Sequence, residues 1–161
     1  MKYTEAQVVF EEVPDEITLA INISNCPVRC EGCHSPHLWQ DVGTELTSVE
    51  LLKLLKDNKG VTCVSIMGGD NSVEDVLQAL KIIKNKELKT CWYSGKERIN
   101  DVELMEKLLP YLDYLKTGPY IKELGGLDSF TTNQRFFIVK SGINHHFELE
   151  DITYKFKKLG I

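Results

Sequence analysis

The order of apolar runs and amphipathic segments predicts an α/β fold with a mostly parallel sheet. Short runs rich in Val, Ile and aromatic residues alternate with segments whose apolar residues recur at helical spacing, and the runs end in polar or glycine-bearing turns. That rhythm implies right-handed crossovers, which gather the functional loops at the C-terminal edge of the strands. A length of 161 residues with 42% hydrophobic content suits a single domain, since a chain of this size buries roughly 70% of its unfolded surface.

The first sixteen residues, MKYTEAQVVFEEVPDE, are too acidic and their apolar run too short for a secretory signal. Glu16 to Ser24 (EITLAINIS) is predicted as a buried strand that delivers the chain to a cysteine-rich loop. Thr47 with Glu50 makes a capping box for a helix carrying Val49, Leu51, Leu52, Leu54 and Leu55, which Gly60 stops. Val61 to Met67 forms the next strand and ends in Gly68-Gly69-Asp70. Ser72 and Asp75 repeat the capping signature ahead of Val73, Val76, Leu77, Leu80 and Ile83, one face of a helix. Thr90 to Ser94 (TCWYS) is a third strand, and a helix from about Asn100 to Leu109 is ended by Pro110. Tyr111 to Leu115 is a further strand before the turn Gly118-Pro119, Phe136 to Val139 the last, and Glu148 to Leu159 a short closing helix with lysines near its C-terminal end. The domain core is thus expected over about residues 16–139, with an extension over 140–161.

Charge and composition exclude several functions. With 19 Lys+Arg against 24 Asp+Glu the net charge is −5, without blocks of like charge, which argues against a grip on nucleic acid or anionic membrane. No stretch approaches the 18 or so apolar residues of a membrane span, and a cytoplasmic location is expected. Five cysteines are an odd and sparse set for a disulfide framework.

Three of them fall within eight residues, as Cys26-Pro27-Val28-Arg29-Cys30-Glu31-Gly32-Cys33. Three thiolates on one loop suit a soft metal site but do not complete a tetrahedral zinc, which would need His34, His37, Cys63 or Cys91 as a fourth ligand. A 4Fe-4S cluster held by three thiolates instead leaves one iron open.

The C-x3-C-x2-C spacing resembles the cluster motif of the radical S-adenosylmethionine superfamily. Gly68-Gly69-Asp70 at a strand end is similar to that family's glycine-glycine-acid motif, although Asn71 stands where many members have proline and Asp70 where many have glutamate. His34-Ser35-Pro36 with Trp39, Trp92-Tyr93-Ser94-Gly95, Leu115-Lys116-Thr117-Gly118-Pro119-Tyr120 and Thr132-Asn133-Gln134-Arg135 resemble signatures of the small activating proteins of anaerobic ribonucleotide reductases. Lys116-Thr117 departs from the usual acidic position before the glycine. The likeness runs from about Ile17 to Val139.

The resemblance implies a compact partial (β/α) barrel in which Cys26, Cys30 and Cys33 hold the 4Fe-4S cluster and S-adenosylmethionine chelates the open iron. Reductive cleavage then gives a 5′-deoxyadenosyl radical, which takes a hydrogen atom from a glycine Cα of the reductase large subunit; the electron donor is of flavodoxin type. It assigns Gly68, Gly69 and Asp70 to the methionine end of S-adenosylmethionine, Gly32 and His34, flanking Cys33, to the adenine, and Ser94 to the ribose or carboxylate. A small-molecule substrate such as a nucleobase precursor, or a non-catalytic iron-sulfur or zinc protein, are the alternatives. Cys63 and Cys91, inside apolar strands, read as core; Trp39 and Trp92 as packing residues; His145-His146 as surface, since adjacent side chains diverge. Asn133-Gln134-Arg135 reads equally as a structural turn or as a contact to the methionine carboxylate or the partner.

Overall fold

The computed structural model describes residues 1–98 and 101–158. Among them the chain forms strands β1 (Lys2–Val9), β2 (Thr18–Ile23), β3 (Thr44–Glu45), β4 (Cys63–Met67), β5 (Lys89–Tyr93), β6 (Tyr114–Thr117), β7 (Arg135–Ser141) and β8 (Phe147–Asp151). Three α-helices accompany them, α1 (Ser48–Asp57), α2 (Val73–Lys84) and α3 (Val102–Leu108). All strands join one sheet in the order β3-β1-β2-β4-β5-β6-β7-β8.

Neighbours among β2, β4, β5 and β6 pair in parallel, whereas β1 and β3 at one edge and β7 and β8 at the other pair antiparallel. The sheet is therefore mixed, a correction to the expectation of a mostly parallel one. Connection length accounts for two of the antiparallel pairs: the links from β1 to β2 and from β7 to β8 are too short for a crossover helix. The row Asn22, Met67, Tyr93, Lys116 and Phe136 stands in register across the C-terminal ends of the parallel strands.

Alternation along the strands sorts the core onto two faces. Leu19, Ile21, Ile23, Val64, Ile66, Trp92 and Leu115 pack against Leu51 of α1, Val76, Leu80 and Ile83 of α2, and Leu108 of α3. On the opposite face Cys63, Cys91, Tyr114 and Phe136 pack with Val13 and Ile152. Glu16, at the end of the segment bearing Val13, accepts hydrogen bonds from Lys89 Nζ, from Thr62 Oγ1 at 2.6 Å and from the Tyr114 hydroxyl at 3.0 Å.

Local signals hold unevenly. Thr47 Oγ1 accepts from the Glu50 amide at 3.1 Å and caps α1 as expected. Ser72 makes no side-chain cap on α2, and Asp75 instead accepts from the N-terminal ammonium at 2.6 Å. Helix α3 is capped by Asp101, which accepts from the Leu104 amide at 3.0 Å; its expected start at Asn100 lies outside the described residues. Pro110 sits in a 3-10 turn, which delays the next strand to Tyr114.

The closing helix expected over Glu148 to Leu159 is corrected. Residues Phe147–Asp151 form β8 against β7, and Thr153–Phe156 a 3-10 turn; Leu159 lies outside the described residues. The period-two pattern F-E-L-E-D can pair with the open edge of β7, and that pairing outweighs the helix propensity of Glu and Leu. Strand β1, which the sequence reading leaves without an element, pairs with β2 and covers what would otherwise be an open edge.

Candidate metal centre

The cysteine loop leaves the C-terminal end of β2 and is pinned at its base by backbone bonds from Asn25 N to Gln40 O, 3.0 Å, and from Cys26 N to Leu38 O, 2.9 Å. Asn25, Arg29 and Gly32 have φ of 60°, 51° and 72°. Left-handed residues at this density coil the chain tightly, and a Cys33 N to Cys30 O bond of 3.2 Å closes the last turn. Cys26, Cys30 and Cys33 are half-buried free thiols, and Cys33 Sγ accepts from the Ser35 amide at 3.4 Å.

Neighbouring strand ends hold the loop in place. After β4, Gly68 and Gly69 take φ of 107° and 92°, which admit them where a side chain would be strained. A Cβ on Gly68 would stand 3.2 Å from Ile23 O, so the glycine backbone runs close past the end of β2. Trp92 Nε1 donates to Gly68 O at 2.8 Å, and Asn71 Nδ2 donates to Asn25 O at 3.0 Å, tying the two loops together. After β5, Val28 of the cysteine loop seats on Gly95, where an added Cβ would come within 2.7 Å of it. After β6, the ring of Tyr120 lies 5.4 Å from that of His34, and the Lys122 stem lies 3.5 Å from where a Gly32 Cβ would point.

Asp70 is 6% exposed, and its carboxylate accepts from Ser94 Oγ at 2.5 Å and from the Gly95 amide at 2.9 Å. Ser94 is fully buried and also accepts from the Lys96 amide, so its hydroxyl orients Asp70. Lys116, 7% exposed in the C-terminal row, donates to Gly118 O at 2.6 Å and lies 5.9 Å over the Tyr93 ring. Burial pushes its ammonium down to about 8, while Cys30, Asp70 and Cys26 pull the other way.

The remaining sequence candidates separate cleanly. Cys63 and Cys91 are buried on the opposite face of the sheet from the helices; burial pushes the Cys63 thiol up to about 12 and that of Cys91 well above its ordinary value. Among the described residues no group of three or more His, Cys, Asp or Glu is gathered closely enough to hold a metal ion. Three thiols on one coiled loop are a donor set that suits a cluster, in which each ligates its own iron. Asn133 Nδ2 donates to Pro119 O at 3.0 Å and Gln134 Nε2 to Gly118 O at 3.4 Å, which makes this pair a brace for the turn after β6, and Arg135 Nη1 caps the carbonyls of Thr132 and Gln134. His145 and His146 are exposed. Asn71, noted in the sequence only as a departure from proline, and Trp92, read there as a packing residue, both contribute hydrogen bonds that fix these loops.

Residues 17–136 match the model of a family described as 4Fe-4S single cluster domain. No curated protein and no solved structure matches the chain. Among the described residues no helix is long and apolar enough to cross a membrane.

Proposed function

The chain belongs to the family of 4Fe-4S single cluster domains, and from that premise we propose that it is a radical S-adenosylmethionine enzyme that makes a glycyl radical on an anaerobic ribonucleotide reductase. One observation carries this reading: the Asn71 to Asn25 hydrogen bond of 3.0 Å joins the cysteine loop to Gly68-Gly69-Asp70 at a single strand edge. An iron-sulfur electron carrier needs the first loop and has no use for the second.

Cys26, Cys30 and Cys33 hold the cluster in this reading and leave one iron free of protein. The Gly68-Gly69 backbone, without Cβ atoms, admits the methionine end of S-adenosylmethionine, and Asp70, oriented by Ser94 and Gly95, meets its amino group. Gly32 and His34 flank the adenine. When bound, cluster and S-adenosylmethionine together supply a 5′-deoxyadenosyl radical. The sheet acts as a partial barrel whose open side receives a loop of the reductase, and a flavodoxin-type protein supplies the electron.

A second reading gives the enzyme a small-molecule substrate. A cavity of about 680 Å³ lined by Phe10, Glu12, Tyr93, Leu127, Lys155 and Phe156 has room for one, although no residue of the cysteine loop or of Gly68–Asp70 lines it. Anaerobic reconstitution with iron and sulfide, reduction in the presence of S-adenosylmethionine and assay of 5′-deoxyadenosine test both. No 5′-deoxyadenosine from a fully loaded cluster refutes them together. Electron paramagnetic resonance with the reductase added separates them: a glycyl doublet supports activation, and its absence with continued cleavage supports the small molecule.

A further inference from the structure

A buried ammonium needs negative charge around it, because removing an unpaired ion from water costs several kcal/mol even after relaxation. Lys116 lacks the usual partner. Among the described residues its Nζ has one hydrogen-bond acceptor, the carbonyl of Gly118, and no carboxylate within ion-pair distance. Asp70, the acidic group on the neighbouring loop, is held by Ser94 and Gly95 and makes no ion pair with Lys116. The Tyr93 ring 5.9 Å away offers only a weak cation–π contact.

The segment that follows Lys116 is in turn the one that packs on the cysteine loop, through Tyr120 against His34 and Lys122 against Gly32. The lysine therefore lies on the last residues of a strand whose outgoing loop touches the thiols' own loop. Its charge has no ion-pair partner in direct contact among the described residues, and Cys30, Asp70 and Cys26 are the groups whose charge acts on it.

We propose that Lys116 is a positioning residue, the fixed counter-charge of the iron-sulfur cluster, and that it raises the potential at which the cluster accepts an electron. Cluster potentials follow net charge and local electrostatics. On reduction one electron enters from the donor, no proton need follow, and the cluster with its thiolates becomes more negative by one charge. A neighbouring cation stabilises that product more than the oxidised form. The inference rests on the three-cysteine ligation proposed above.

Redox titration of the reconstituted protein, followed by electron paramagnetic resonance without S-adenosylmethionine, tests it. K116M should keep its iron content, since an unbranched apolar side chain replaces a charge in a buried place. Its ratio of reduced to oxidised cluster at a fixed potential should fall about tenfold, which is about 59 mV for a one-electron couple. K116R, which keeps the charge, should stay within about threefold of wild type, about 28 mV on the same scale.

Equal potentials in wild type and K116M, both fully loaded, would overturn the proposal. An unmoved potential with weakened S-adenosylmethionine binding would also overturn it, by giving the ammonium to the carboxylate of S-adenosylmethionine. Loss of the cluster from a folded K116M would overturn it, by giving the side chain a part in holding the cluster rather than in setting its potential. Full cluster content in a C26A/C30A/C33A variant would defeat the ligand assignment as well, which separates that failure from one confined to Lys116.

Discussion

Gly69 and Gly60 have nearly the same backbone conformation, with φ of 92° and 97°, but opposite surroundings. A Cβ on Gly60 would meet nothing within 4 Å, whereas on Gly69 it would stand 2.6 Å from Val76 Cγ2, in the fully buried face of α2. Gly60→Ala should therefore cost only the left-handed penalty, about 1–2 kcal/mol. Gly69→Ala adds overpacking of about 1–3 kcal/mol. The two variants should thus differ by the steric part alone, read as the difference in unfolding free energy from urea denaturation. Removing the obstacle tests the cause: Val76→Ala should cost about 2–3 kcal/mol by itself. In the double variant the two losses should fall short of additivity by about 1–3 kcal/mol. Losses that add to within about 0.5 kcal/mol, or a Gly69→Ala protein no less stable than Gly60→Ala, would refute the steric account of this turn.

Three further outcomes are expected. Cys30→Ala should abolish the cluster absorbance and the iron content that survive in Cys63→Ala, because Cys63 is buried on the far side of the sheet; equal loss in both would count against the loop as the site. Glu16→Gln should flatten acid denaturation. Burial pushes the Glu16 carboxyl up, but hydrogen bonds from Lys89, Thr62 and Tyr114 outweigh it and hold the group below its ordinary value. Its stabilisation is therefore present above the unfolded pKa near about 4.3 and lost as pH falls through the lower folded value; unchanged acid unfolding of the variant would contradict this. Trp92→Phe removes the bond to Gly68 O, and leaving that carbonyl short of a partner should cost about 1–3 kcal/mol and weaken S-adenosylmethionine binding; calorimetry showing neither would assign the indole a packing role alone.

The parallel centre of the fold was legible because its signals are local. Val64 and Ile66 in β4, Val76, Leu80 and Ile83 in α2, and the glycine turns between them name their element without reference to anything distant. The edges were not. Strand β1 and strand β8 are largely half-exposed or exposed, and become strands by pairing with β2 and β7. Pairing across the chain is invisible to a local pattern, so an acidic segment such as Glu148–Asp151 reads as helix until its neighbour is known. In the site, the cysteines and the two glycines were legible because the residue type itself is the signal. Ser94 was assigned outward to a ligand, yet its hydroxyl turns inward to Asp70, and a sequence does not show which way a hydroxyl points. Lys116 registered only as a departure from a pattern; its meaning depends on burial and on the absence of a carboxylate beside it among the described residues.

The two faces of the sheet divide stability from chemistry. On the helix-covered face, Leu, Ile, Val and Trp form one continuous apolar cluster. The other face is graded along the strands. At its N-terminal end Val13 packs against Cys63 and Tyr114, and Lys89, Thr62 and Tyr114 all hydrogen-bond Glu16, while Thr18 Oγ1 is buried without a partner among the described residues. At its C-terminal end Lys116 is left with a single carbonyl acceptor. In the reading proposed above, the cysteine loop, pinned to that edge by Asn71 and seated on Gly95, brings an anionic cluster to the strand end that carries Lys116.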